Sequence, residues 1–289
     1  MNLLEICGSV PLGGLHDIRS LLQRASVGGM LLPEQLQQVA DTLRAMRLLR
    51  DFLLKHEMQA MASFEEEQFS LLADRAQGIG VFLELERQIE RCIVPEGEVA
   101  DAASPALARL RQQLRNRQAR VRETLDSIVN SSTNEKFVQE RLVTLRSGRY
   151  VVPVKQEYRS FFPGIVHDRS ASGATLFIEP MAVVELNNEI RQLEAEELQE
   201  IERILMALTQ AVAGEAVDIH RGVDIAAEMD FIFAKGRLAL EWRCVEPRMT
   251  DTGWISILGG RHPLLTGEVV PIDLWLGRES LALVITGPN

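Results

Sequence analysis

Apolar residues recur at steps of three and four along most of this chain, and the pattern breaks in two places. Leu36, Val39, Leu43, Met46 and Leu49 place one apolar stripe on a helix that Pro33 opens in its first turn and that runs to about Glu57. Ile18, Leu21 and Leu22 predict a shorter helix before it, opened by Asp17. A further helical stretch covers about residues 64–94, with Leu71, Leu72, Val81, Phe82, Leu85 and Ile89 on its apolar face and a break at Gly78 and Gly80. Ser104 followed by Pro105 is a strong helix start, a capping hydroxyl with proline behind it. From there Leu107, Leu110, Leu114, Val121, Leu125 and Ile128 make a coiled-coil-like seam, with Arg117 at the skipped position. A second long helix follows Pro180, its seam formed by Leu186, Ile190, Leu193, Ile201, Leu205, Leu208 and Val212. One more runs from Asp218 to Leu240.

Between the two long helices the pattern changes. Residues 149–155, 164–167 and 174–178 are short, β-rich runs separated by Gly, Pro and Ser clusters, and Pro153 argues for an edge strand. The simplest geometry is an antiparallel pair of helical arms carrying a small β element. The second break is terminal. Trp254–Ile257, Val269–Leu276 and Leu281–Thr286 read as strands with turns at Gly259–Gly260, Gly267 and Gly277. The fold class is mainly α with a small β insert (α+β).

Charge sharpens this picture. The total is −10, but residues 103–175 carry 13 basic and 6 acidic side chains between acidic flanks. Six arginines (Arg109, Arg111, Arg115, Arg117, Arg120 and Arg122) lie on the outgoing helix, opposite a run of glutamates on the returning one, so the two arms should pair. Three scattered cysteines (Cys7, Cys92 and Cys244) exclude a disulfide scaffold and a CxxC metal knuckle, and predict a reducing, cytoplasmic setting. No apolar run is long enough to span a membrane, and no signal peptide is visible.

For nucleic acid the candidates are Arg146, Arg149, Lys155, Arg159 and Arg169 on the β element, with Ser170, Ser172 and Gly173 as hydroxyl and backbone donors able to approach phosphates. A tight turn chosen for backbone freedom is the competing reading of Ser170–Thr175. Tyr150, Tyr158, Phe161 and Phe162 interleave with these cations, and core packing of so small a unit is their expected use. Nothing resembles a base-reading module, so contact should be with backbone and shape.

The ending carries the resemblance. Leu281–Asn289 (LALVITGPN) is an apolar strand running into glycine, and it resembles the strand leading into the nucleotide loop of MutS-family ATPases. Gly260–Arg261–His262–Pro263 resembles that family's GRHP segment. Ser170–Pro180 (SASGATLFIEP), Tyr150–Lys155 (YVVPVK) and Leu12–Gly13–Gly14 resemble its second bacterial branch, which lacks the mismatch-reading domain. The resemblance covers essentially the whole chain. It implies a helical core over 1–103, an outgoing lever helix over 104–130, a β clamp over 131–179, a returning lever over 180–212, a closing part of the core over 213–250, and the start of a P-loop ATPase domain over 251–289.

It also implies a function: part of an ATP-dependent homodimeric clamp that binds branched or junction DNA and limits recombination. Two alternatives stay open, a ribosome-associated factor acting on stalled ribosomes through rRNA, and a helical assembly arm. In the intact protein His262, Val269, Val270, Gly287, Pro288 and Asn289 would lie at an ATP and Mg²⁺ site, while a plain turn histidine remains the other reading of His262. Because the loop's lysine and Ser/Thr would follow Asn289, no ATP hydrolysis, cofactor or strand cleavage is expected of this polypeptide; the intact protein would be an ATPase, and an endonuclease where an Smr domain follows. No membrane partner is implied.

Overall fold

The computed structural model describes residues 2–62, 70–277 and 280–285. Its helices are α1 (Asn2–Cys7), α2 (Arg19–Ser26), α3 (Pro33–Ala62), α4 (Ser70–Gln77), α5 (Leu83–Cys92), α6 (Pro105–Val129), α7 (Val184–Gly214) and α8 (Ala216–Glu241). Its strands are β1 (Thr144–Arg146), β2 (Arg149–Lys155), β3 (Gly164–Arg169), β4 (Thr175–Pro180), β5 (Ile255–Gly260) and β6 (Ile272–Leu276). Two compact units result, residues 11–226 and residues 1–10 with 227–289. No helix among the described residues is long and apolar enough to cross a membrane.

In the larger unit, α3 buries the whole expected stripe, Leu36 through Leu49. The first part of α8 approaches it closely at Gly222, where a Cβ would lie 2.5 Å from Met46 Cε. Glu86 of α5 is buried and accepts Nε (3.0 Å) and Nη2 (2.8 Å) of Arg47, a bidentate pair that joins α5 to α3. The start of the expected 64–94 helix lies outside the described residues; beyond it, the chain breaks at Gly78–Gly80 as the glycines predict. The burial there differs from expectation. Leu71 and Val81 are exposed, and Ala73, Ala76 and Ile79 are buried instead. The break changes the helical phase, and small side chains permit the closer approach that excludes Leu71.

Helices α6 and α7 form the antiparallel pair. Ser104 caps α6, its Oγ accepting the Leu107 amide at 3.0 Å. Arg111 pairs with Glu197 (2.7 Å) and Arg117 with Glu189 (2.8 Å), which sets the register. The seam is not continuous. Leu107 is buried at one end and Val121, Leu125 and Val129 at the other, while Leu110 and Leu114 are only half-buried. Facing them, α7 has no buried residue between Ile190 and Ile204. An open groove of about 380 Å³ lies in this stretch, lined by Gln113, Asn116, Arg117, Glu189 and Gln192 among others. Arg117, at the skipped seam position, pairs with Glu189 there and leaves open the space an apolar side chain would have closed.

The strands between these helices form one antiparallel sheet of order β1-β2-β4-β3. Its apolar side packs Val152, Val154, Leu176 and Ile178 against Val121, Leu125, Val129, Val183 and Ile190. Pro153 does not mark an edge: β2 lies between β1 and β4. Its carbonyl accepts the Gln139 amide on the side away from β4, and pairing with β1 has already ended at Val151, so the missing N–H interrupts no ladder bond. The three-residue β1 was not expected.

In the smaller unit, β5 and β6 pair antiparallel. Pairing begins at Ile272 rather than Val269. Residues 281–285 form no strand, and Leu281, Val284 and Ile285 are largely exposed. With no neighbouring ladder among the described residues, apolar β-propensity alone does not fix a strand.

Candidate nucleic-acid interface

The sheet divides the sequence-derived cations into two groups. At the end where β2 begins, Arg149 donates from Nη1 to Glu179 Oε1 (2.8 Å) and from Nη2 to Asn188 Oδ1 (2.7 Å). Glu179 is wholly buried. Its Oε1 also accepts Asn187 Nδ2 (2.7 Å), and its Oε2 lies 2.6 Å from His167 Nε2. Asn187 closes the network on the main chain, donating to Tyr150 O (3.1 Å) and accepting the Tyr150 amide (3.3 Å). Strands β2, β3 and β4 are thus fastened to α7 through one carboxylate. Glu179, His167 and Asn187 stood outside the sequence-derived set.

Arg146 and Arg159 are also engaged internally. The Arg146 guanidinium lies 4.3 Å over the Phe177 ring and 3.5 Å from Asp168 Oδ2. Arg159 donates to Phe162 O (3.2 Å) and Gly164 O (3.0 Å), holding the chain as it enters β3.

The opposite end of the sheet is different. In register, Lys155 faces Thr175 across β2 and β4, and Arg169 faces Leu176 across β3 and β4. The two main-chain positions therefore flank the first residues of β4, about 10 Å apart across two strand spacings, and their partners Thr175 and Leu176 face opposite sides of the sheet. Arg169 is exposed, and among the described residues its guanidinium has no ion-pair or hydrogen-bond partner. Lys155 Nζ donates only to a main-chain oxygen, that of Lys136, at 3.3 Å. The structure adds Lys136 to this group: exposed, its ammonium sits 5.1 Å over the Phe137 ring.

Ser170, Ser172 and Gly173 form the turn that joins β3 to β4. Ser170 Oγ accepts the Thr175 amide (3.1 Å), Ser172 Oγ the Ala174 amide (3.4 Å), and Gly173 donates its amide to Ser170 O (2.8 Å). Gly173 has a φ of +74°, which glycine adopts without strain. Both hydroxyls thus serve the turn, and the turn presents Arg169.

The α6–α7 pair supports this element from below. Ser104 Oγ donates to Glu200 Oε1 at 2.6 Å, and Arg203 donates to both Glu200 oxygens at 2.7 Å. The Arg203 and Ser104 hydrogen bonds lower the Glu200 carboxyl to about 2. Arg111 similarly holds Asp101 below its ordinary value. These pairs consume part of the Arg-rich face, whereas Arg122 lies 5.8 Å over the Tyr150 ring.

Gly287, Pro288 and Asn289 lie outside the described residues. His262 is exposed and its Nδ1 accepts the Leu264 amide at 3.2 Å, so it braces a turn. Val269 is half-buried and Val270 exposed. No phosphate-cradling loop is present among the described residues, and none of their His, Cys, Asp and Glu side chains cluster in a way that could hold a metal.

No protein-family model matches the chain. The chain is 48% identical over 288 residues to Endonuclease MutS2 of a Geobacillus species, which covers 99% of the chain and 36% of that protein. It is 47% identical over 283 residues to Endonuclease MutS2 of Ruminiclostridium cellulolyticum, covering 98% of the chain and 35% of that protein. It is 46% identical over all 289 residues to Endonuclease MutS2 of Halalkalibacterium halodurans, again 36% of that protein. The chain thus spans about a third of the length of these relatives. With this identity sustained along its whole length, the chain belongs to the MutS family, in its MutS2 branch.

Proposed function

We propose that this chain is the core, lever and clamp portion of a MutS-type ATP-dependent clamp, and that it grips branched or junction DNA by its phosphate backbone. In this reading residues 1–103 and 213–250 are the core, 104–130 and 180–212 the lever arms, 131–179 the clamp, and 251–289 the opening of the ATPase domain. The observation that carries it is the end of the sheet where Lys155, Arg169 and Lys136 stand without acidic partners among the described residues, inside the basic stretch of an acidic chain. Cations held this way offer non-directional attraction to phosphates and no means of reading base sequence. The intact protein would close two such clamps in a homodimer, use ATP and Mg²⁺ to do so, and limit homologous recombination.

The test is a binding titration of the 289-residue chain against a four-way DNA junction, a linear duplex of the same sequence, and purified ribosomes at low salt. Tighter binding to the junction than to the duplex is the expected result. Co-sedimentation with ribosomes without junction binding would transfer the same phosphate-gripping chemistry to rRNA. Binding to none of them would leave an assembly arm.

A further inference from the structure

The same end of the sheet carries aromatic rings that the small core does not absorb. Phe162 is buried, as the packing expectation requires. Phe161 is not: it is 66% exposed. It stacks nearly parallel to Phe137, at 8° with ring centroids 6.1 Å apart, and Tyr158 leans on Phe137 at 5.3 Å. Lys136 lies over Phe137, and Lys155 Nζ reaches the Lys136 carbonyl, one residue along the chain from that ring. Lys155 closes β2 five residues beyond Tyr150, where Asn187 anchors the strand to α7. At about 3.3 Å per residue Lys155, whose amide donates to Phe137 O, stands about 17 Å beyond that anchor.

An exposed phenylalanine on a rigid aromatic neighbour costs solvation and adds little to the fold. Rings beside lysines suit one chemistry in particular: a flat, apolar, π-faced group attached to an anion. A nucleobase with its flanking phosphate has both parts. Paired bases in a duplex have their faces covered by neighbours, so only an unpaired base can use this surface.

We infer that Phe161, supported by Phe137 and Tyr158 and flanked by Lys136 and Lys155, is a stacking platform for an unpaired nucleobase, so the clamp distinguishes strands with open bases from continuous duplex. This inference rests on the nucleic-acid reading of the same element and adds the feature of the substrate that is recognised. A second copy of the chain is the competing occupant. It is disfavoured because a twofold contact would bring the lysine-rimmed surface against its own copy.

The experiment uses the full chain, with fluorescence anisotropy on a blunt duplex and on the same duplex carrying a short single-stranded tail. A 2-aminopurine in the tail reports stacking by quenching. Phe161→Ala removes an exposed ring, and Phe161→Trp restores a stacking face. Expected are about tenfold weaker binding of the tailed probe by Phe161→Ala, unchanged blunt-duplex binding, loss of quenching, and recovery of both in Phe161→Trp. Equal losses on both probes, or none on either, would overturn the platform while leaving the phosphate grip standing. If the unaltered chain binds neither probe, the nucleic-acid reading falls and the platform with it. If it self-associates in sedimentation and Phe161→Ala abolishes that without affecting the tailed probe, the occupant is a second copy.

Discussion

Arg149 and Glu179 are joined at 2.8 Å, with the carboxylate wholly buried and the guanidinium a quarter exposed. Removing Arg149 leaves the buried Glu179 with only Asn187 and His167 as partners. Arg149→Ala should therefore cost about 3 kcal/mol of stability, the low end for a buried pair because Arg149 keeps some contact with water. Denaturant melting of the chain measures this. Unchanged melting combined with lost DNA binding would return Arg149 to the interface.

The interrupted seam between α6 and α7 sets a second expectation. Leu114→Asp should be tolerated at about 1 kcal/mol or less, because Leu114 is half-buried beside a polar groove. Leu125→Ala should cost about 2–5 kcal/mol, because Leu125 is fully buried in the sheet core. Thermal melts of the two variants should differ clearly. A larger loss from Leu114→Asp would mean that the arms close along their whole length.

Glu200 gives a pH dependence with a definite sign. Its carboxyl is lowered to about 2 in the folded chain, first by Arg203 and then by Ser104. A group depressed on folding contributes stability that is complete above its ordinary value of about 4.3 and fades as pH falls toward 2. Between those limits unfolding should take up about one more proton in the unaltered chain than in Glu200→Gln. Denaturant titrations at pH 3, 4 and 5 would show it. Because Arg203 is 63% exposed, added salt should weaken its share and leave the Ser104 share.

Salt dependence tests the phosphate grip. Replacing Lys136, Lys155 and Arg169 together by glutamine should lower the log–log slope of DNA affinity against salt by roughly 2–3 units, at about 0.9 per phosphate contact. Replacing Arg87 and Arg91, exposed on α5, is a two-charge control and should change the slope little. Arg47 cannot serve as one, because it neutralises the buried Glu86. A greater loss from the α5 pair would move the interface off the sheet.

The helices were legible because their evidence is local. A stripe such as Leu36 to Leu49 and a cap such as Ser104–Pro105 declare themselves within a few residues. The MutS2 branch was legible in short motifs, and the positive stretch in a count of charges. What escaped depends on partners distant in the chain. Glu179 reads as one more acidic residue until Arg149, His167 and Asn187 converge on it. Strand β1 is too short to show a period and exists because β2 offers it an edge. Phe161 and Phe162 are adjacent and chemically identical, yet one is buried and the other exposed. Only the position of the backbone on the sheet decides which ring meets the core.

Every buried member of the core beneath the sheet falls between Val121 and Ile190. The chain can therefore complete this core from one contiguous stretch, before any residue of α8 is needed. On a ribosome, synthesis from the amino end would release that stretch as soon as Ile190 and the turns behind it had cleared the exit. The bond between Ser104 and Glu200 must wait longer, since it spans 96 residues of sequence. During synthesis the sheet core is therefore expected to close first, and the far ends of the two helices to be tied together afterwards.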